Sequence, residues 1–228
     1  HMVERYGFHT LEVLQSNVER RRGGETGVRS VQCLSGDGVW QCADERWSRA
    51  LADSALASLD NSPGKLDISR VDDPHVILVD YCDGLTGAAL MLGDNGYVNS
   101  FGYAQQSGDS IHALEYQTNS GPSIALFSYL GLNIEDFFLT GQAPTPLERT
   151  YLTTGILEAA MISRGDGGRR IDTPHLEIAY AASATSGRRP PGERPTGASL
   201  EPWPMPEPGA TPRASRIPIT RDGTVRGS

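Results

Sequence analysis

Between residues 75 and 117 the sequence lays down four short apolar runs, each separated from the next by a turn signal, and this block limits the fold more than any other feature. The runs are HVILVDY (75–81), LTGAALML (85–92), YVNSFGYAQ (97–105) and SIHALEYQ (110–117), divided by Cys82-Asp83-Gly84, Asn95-Gly96 and Gly108-Asp109. Asp-Gly and Asn-Gly supply the positive φ of tight hairpins. Parallel strands would need a crossover of a dozen or more residues between each pair. The block therefore predicts a four-strand antiparallel meander. In HVILVDY both faces are apolar, Val76 and Leu78 on one and Ile77 and Val79 on the other. One helix layer covers one face only, so the other face of this open sheet is expected to find a second copy of the chain, giving a homo-oligomer.

The flanks supply the helices. In residues 10–22, Leu11, Leu14 and Val18 fall on one helical face, with Thr10 as N-cap, Arg20, Arg21 and Arg22 in the last turn, and Gly23-Gly24 as the stop. Two short strands are expected at 27–34 and 38–42, and a helix at 45–59 carrying Trp47, Leu51, Ala55 and Leu59 at spacing four. After the meander come helices at 123–139 and 146–163, the second opening on Thr145-Pro146, and a last strand at 175–180. The expected class is α+β: a largely antiparallel open sheet with helices packed on one face. Residues 3–180 form that domain. Residues 181–228 hold nine of the fifteen prolines and one aromatic residue, Trp203, and read as an extended tail, with Trp203 as its anchor wherever it docks. The opening His1-Met2 reads as a cloning remnant.

Charge excludes one class of partner. The chain carries a formal −8. The tail has seven Arg against four Asp or Glu, so +3, which leaves −11 on residues 1–180. A general nucleic-acid binder needs a basic face instead. No apolar run approaches the roughly 18 residues of a membrane helix. Three cysteines, Cys33, Cys42 and Cys82, without CxxC spacing, suit a reducing cytoplasm.

Several signatures are missing. No G-x-G-x-x-G follows a strand, and Gly23-Gly24-Glu25-Thr26-Gly27 follows a helix. That loop is expected to present carbonyls, the wrong polarity for a pyrophosphate. There is no P-loop, no zinc-site spacing and no G-x-S-x-G elbow. The chain alone is expected to hold no cofactor and no metal.

Three segments carry a resemblance. They are Tyr6-Gly7-Phe8-His9 with VERRRGGETGVRSVQCL (18–34), FFLTGQAPTPLERTYLTTGILEAAMISR (137–164), and TPHLEIAY (173–180). Together they resemble the C-terminal part of the glucose–fructose oxidoreductase/inositol dehydrogenase (Gfo/Idh/MocA) family, in a bacterial branch of it. The resemblance implies an α+β domain that supplies part of a substrate pocket and mediates oligomerisation, beside a Rossmann domain binding NAD(P). Here the Rossmann half and its Glu-Lys-Pro lysine motif have no counterpart, so NAD(P) would come only through a partner subunit. The family histidine maps onto His9, while the aspartate that precedes it there is not matched.

The candidate catalytic residues are His9 and Glu12, three apart on a helix: a proton-transfer imidazole oriented by a carboxylate, or a surface histidine at a helix start. Glu25, Thr26 and Arg22 are the candidate substrate-binding residues, for a small molecule with hydroxyls or an anionic group; each also suits an ordinary turn or a solvated helix end. Cys82 lacks an assured base and reads as an inert thiol. Glu148 suits its helix N-terminus, Arg149 could pair with a neighbour or a partner domain, and His112 and His175 suit packing or surface positions. Three functions follow: one half of a split oxidoreductase acting with a Rossmann-domain protein, a non-catalytic oligomerisation or scaffold module, and a cofactor-independent acid–base enzyme (isomerase, cyclase or hydrolase) using His9.

Overall fold

The computed structural model describes residues 2–93, 96–116 and 125–184. Helix α1 (Met2–Val18) leads to strand β1 (Val28–Ser35), then α2 (Asp37–Gln41), α3 (Arg49–Ala57), β2 (His75–Tyr81) and β3 (Thr86–Met91). A hairpin of β4 (Phe101–Ser107) and β5 (Ser110–Tyr116) follows, then α4 (Ala125–Thr140), α5 (Leu147–Gly165) and the two-residue β6 (Ile171–Asp172). The class is α+β with antiparallel sheets, as the sequence leads one to expect.

The pairing departs from a meander. One sheet has the order β3-β2-β1-β6, and β4-β5 stands apart as a two-stranded sheet. The Asp-Gly turn does join β2 to β3 as a hairpin, with His75 opposite Met91 and Asp80 opposite Thr86. The central neighbour of β2 is β1, which meets it across forty residues (Val31 opposite Val79). A short connection between β3 and β4 made them look like partners; packing placed β4 and β5 against α3 instead. Part of the Asn95-Gly96 turn lies outside the described residues, as does residue 117 of the fourth run.

Both faces of the four-stranded sheet are covered within the chain, which revises the expected one-sided layering. On one face Ile77, Val79, Val31 and Cys33 pack under Leu11 and Leu14 of α1 and Leu152, Ile156 and Ala160 of α5. On the other, Val76 and Leu78 meet Val39 of α2, Ala52 of α3 and Trp47, which precedes α3. Each large aliphatic side chain so buried contributes about 1.5–3 kcal/mol. The smaller layer was hidden because residues 38–42, rich in strand formers, make the short helix α2. The face that was to have bound a second copy is therefore filled from within.

Local ends differ as well. α1 begins well before Thr10, whose hydroxyl donates back to the Tyr6 carbonyl (3.0 Å) as mid-helix threonines do, so Thr10 is no N-cap. α1 stops at Val18, leaving Arg20, Arg21 and Arg22 beyond its last turn. Helix α3 starts at Arg49, with the Ser48 hydroxyl accepting from the Leu51 amide (3.3 Å), so Trp47 precedes the helix. Pro146 takes the N-cap place of α5 in extended conformation. The expected strand at 175–180 is a 3-10 turn at Pro174–Leu176 followed by a single bridge from Tyr180 to Glu25.

Helix α4 carries an exposed apolar surface, with Phe127 65% and Phe138 80% accessible, and packs closely on no other described element. No described helix is long and apolar enough to cross a membrane. The tail anchor Trp203 lies outside the described residues.

Candidate functional site

The three segments that carry the family resemblance meet in one buried polar network at the C-terminal end of α1. Glu19, just past α1, forms an ion pair with Arg149 from the first turn of α5, and both side chains are buried. The Tyr180 hydroxyl donates to the same carboxylate (2.7 Å). Burial alone would lower the Arg149 pKa; the Glu19 carboxylate more than reverses this and holds the guanidinium charged. Gln15, also buried, donates to Glu25 (2.6 Å) and Tyr180 (3.1 Å) and accepts from the Tyr81 hydroxyl (2.8 Å). Burial, and then the Glu25 charge, push the Tyr81 phenol well above its ordinary range, so it stays a donor.

Glu25 anchors the glycine loop. Its Oε1 accepts from the amides of Thr26 (2.9 Å) and Gly27 (2.8 Å), and its Oε2 accepts from Arg21 (3.1 Å). Backbone pairing with Tyr180 in both directions (3.2 Å each) ties the loop to the end of the domain. Gly27, at φ 91°, lies so close to the Glu177–Ile178 backbone that a Cβ would come within 2.5 Å of the Ile178 nitrogen. Arg21 continues to Asp83 at the β2–β3 turn (2.6 Å). Burial would raise the Asp83 pKa, but the Arg21 guanidinium and the Leu85 amide bring it below the usual carboxylate range.

This loop does not fit a dinucleotide. Two of its amides do converge on an anion, contrary to the carbonyl-lined loop read from sequence, but that anion is the carboxylate of Glu25 itself. The glycines serve close packing against residues 177–180.

The sequence candidates separate into two groups. Glu25 and Thr26 come together with Arg21, since the Thr26 hydroxyl accepts from Arg21 (3.0 Å), and Arg22 is exposed. His9 and Glu12 are not joined. Glu12 accepts from the Thr153 hydroxyl of α5 (2.8 Å), whereas His9 is exposed and contacts the rings of Phe8 (6.2 Å) and Phe101 (6.3 Å) edge-on. Among the described residues His9 makes no hydrogen bond or ion pair. Cys82 has its pKa raised by partial burial and by Glu177, which disfavours the thiolate. His75 is buried with Nδ1 at 3.0 Å from the Asp73 carbonyl. Sequence reasoning missed Gln15, Glu19 and Tyr180, which look like surface residues of a helix end and a strand. The one available signal was that Gln15 and Glu19 follow Leu11 at spacings of four and eight, in line with the apolar side of α1.

Beside this network a groove of about 1020 Å³ opens between α1 and α3. Residues 85–93 and 98–107 form its two long walls, and Tyr6, Thr10, Val13 of α1 and Leu51, Ala55 of α3 close it above and below. Phe101, the ring beside His9, belongs to this lining.

The chain matches no family model and no curated protein. Among solved structures, the crystal structure of GenD2 from gentamicin A biosynthesis in complex with NAD is similar to it, at 14% identity and a TM-score of 0.47. The likeness covers 75% of this chain and 48% of that one, so the chain spans about half the length of that structure.

Proposed function

We propose that this chain is the substrate-side domain of a Gfo/Idh/MocA-type oxidoreductase, acting in the cytoplasm with a nucleotide-binding domain carried on another polypeptide. The observation that carries the reading is the position of His9. Nearly every other polar side chain around α1 is bound into the scaffold: Gln15, Glu19 and Glu25 in the network, Glu12 to Thr153. His9 alone of the candidate pair is exposed and uncommitted, on a helix clamped at its far end by a buried ion pair. An imidazole so placed can take up or give a proton at a substrate hydroxyl presented by a second domain. The quoted segments of the family resemblance support this, because their charged residues build the clamp. The loop at 23–27 takes no part in cofactor binding in this reading, since Glu25 fills its amides.

The test is reconstitution. The chain is used to capture its partner from the source cells, and the complex is assayed for substrate-dependent reduction of NAD or NADP. His9→Asn should lower turnover at least about a hundredfold, the usual span of a general acid–base group, and leave thermal unfolding unchanged. Turnover unaffected by His9→Asn, or micromolar binding of NAD(P) by the lone chain, refutes the reading. A second reading, an interaction module, is favoured by the bare apolar surface of α4 and predicts a captured complex without turnover.

A further inference from the structure

The four-stranded sheet ends in β3, the hairpin ends in β4, and both outer edges border the same groove. Residues 85–93 line it without a break, and so do residues 98–107. Side chains alternate between the faces of a strand, so an unbroken run of lining residues means that an edge borders the cavity. The other edges of β3 and β4 are taken by β2 and β5. The edges turned to the groove therefore have no ladder partner among the described residues. α1 packs on the Ile77–Val79 face of the sheet and α3 on the Val76–Leu78 face, so the groove continues the plane of the sheet with a helix on either side. Its size is that of one absent strand: a spacing of about 4.8 Å, layers about 10 Å apart and about 20 Å for six residues give roughly 1000 Å³. The observed volume is about 1020 Å³.

We infer that this groove is a docking slot for one extended segment of a different polypeptide, which pairs with β3 along one edge and β4 along the other. Strand addition satisfies the backbone groups of both edges at once and reads alternate side chains in the pockets under α1 and α3. Charge specifies the segment. Among the described residues Arg5, Arg20, Arg21, Arg22 and Arg46 line the groove and no Asp or Glu does, Arg21 and Arg46 being already paired with Asp83 and Asp80, in a chain of net charge −8. Arg5 and Arg22, both exposed, make no ion pair among the described residues. The segment is therefore apolar on both faces and carries carboxylates. The chain's own residues 181–228 are the wrong chemistry, with a charge of +3 and nine prolines that cannot donate to a ladder. In a second copy every described strand is already paired, and the bare apolar element, α4, is a helix. The slot goes beyond the proposed function and stands without it, because its test measures no turnover.

The test pans the full chain against phage-displayed random seven-residue peptides. The best peptide is then synthesised, and its affinity and its effect on amide hydrogen exchange are measured. Selected peptides should alternate apolar residues and carry Asp or Glu. The bound peptide should slow exchange in Thr86–Met91 and Phe101–Ser107 together, at least tenfold. Arg5→Glu combined with Arg22→Glu should weaken binding at least tenfold without moving the thermal midpoint. Failure to select any peptide, or protection of one strand or neither, overturns the proposal. Protection of both edges together with residues 185–228 in the free, dilute chain overturns it in favour of the tail. Protection that rises with protein concentration alongside a doubled mass overturns it in favour of a second copy.

Discussion

Arg149 reaches from the first turn of α5 to Glu19, one residue beyond α1, and locks two helices 130 residues apart through a buried ion pair whose carboxylate also accepts from Tyr180. Removing one partner leaves the other charged and desolvated. Arg149→Ala should therefore cost about 3–5 kcal/mol of unfolding free energy. Urea titration followed by circular dichroism measures it. Combining Arg149→Met with Glu19→Gln should recover most of that loss. A cost under about 1 kcal/mol for the single variant would mean that water reaches the pair.

Gly23 and Gly27 share a positive φ, 95° and 91°, but differ in their surroundings. An alanine at 23 meets nothing within 4 Å and should cost only the left-handed backbone penalty, about 1–2 kcal/mol. An alanine at 27 must also displace the Glu177–Ile178 backbone, so its cost should be clearly larger and should weaken protection of the Tyr180 amide in hydrogen exchange. Equal losses for the two variants would contradict the close approach.

Burial pushes the Cys33 thiol from 9.0 up to about 11. A folded pKa above the unfolded one means a contribution fully present below pH 9 and lost as pH rises from 9 through about 11. Unfolding free energy should fall by about 3 kcal/mol over that window on account of this group. Denaturation curves of Cys33→Ala should lack that part of the slope. An alkaline limb identical in the variant would assign the loss to other groups.

Phe138 is 80% exposed on α4, whereas Leu152 is wholly buried on α5. Phe138→Ser should change stability by less than about 0.5 kcal/mol, and Leu152→Ala should cost about 2–5 kcal/mol. Chemical denaturation of both variants checks this. A large loss at Phe138 would show that α4 packs on something.

Where a segment's own pattern sets its structure, the sequence was readable. HVILVDY and the Asp83-Gly84 turn declare the β2–β3 hairpin because hairpin register is local. The placement of β4 was not readable, since nothing in residues 92–100 records that α3 would hold the hairpin away from β3. Val39 and Trp40 have strand propensity and still form a helix, because the second sheet face needed a cover. At the site, the resemblance singled out His9 and the glycine loop singled out Glu25. Glu19 and Arg149 were missed as a pair because ion pairs between distant segments leave no spacing rule in a single sequence.

The place of β6 has a consequence for the order of synthesis. β1 is flanked on one side by β2 and on the other by a strand whose pairing, Ser30 with Asp172, spans almost the whole described chain. The apolar side of α1 likewise waits for Leu152 and Ile156. At roughly 5–20 residues per second on the ribosome, residues 2–18 are made roughly ten seconds before α5 exists. During that interval Leu11 and Leu14 can meet Ile77 and Val79 but not Leu152 and Ile156, Glu19 has no Arg149, and the pairings that can close are β1–β2, β2–β3 and β4–β5. The nascent N-terminal helix thus keeps its α5-facing apolar side open until late in synthesis, and the sheet gains its last edge strand only after α5 has been made.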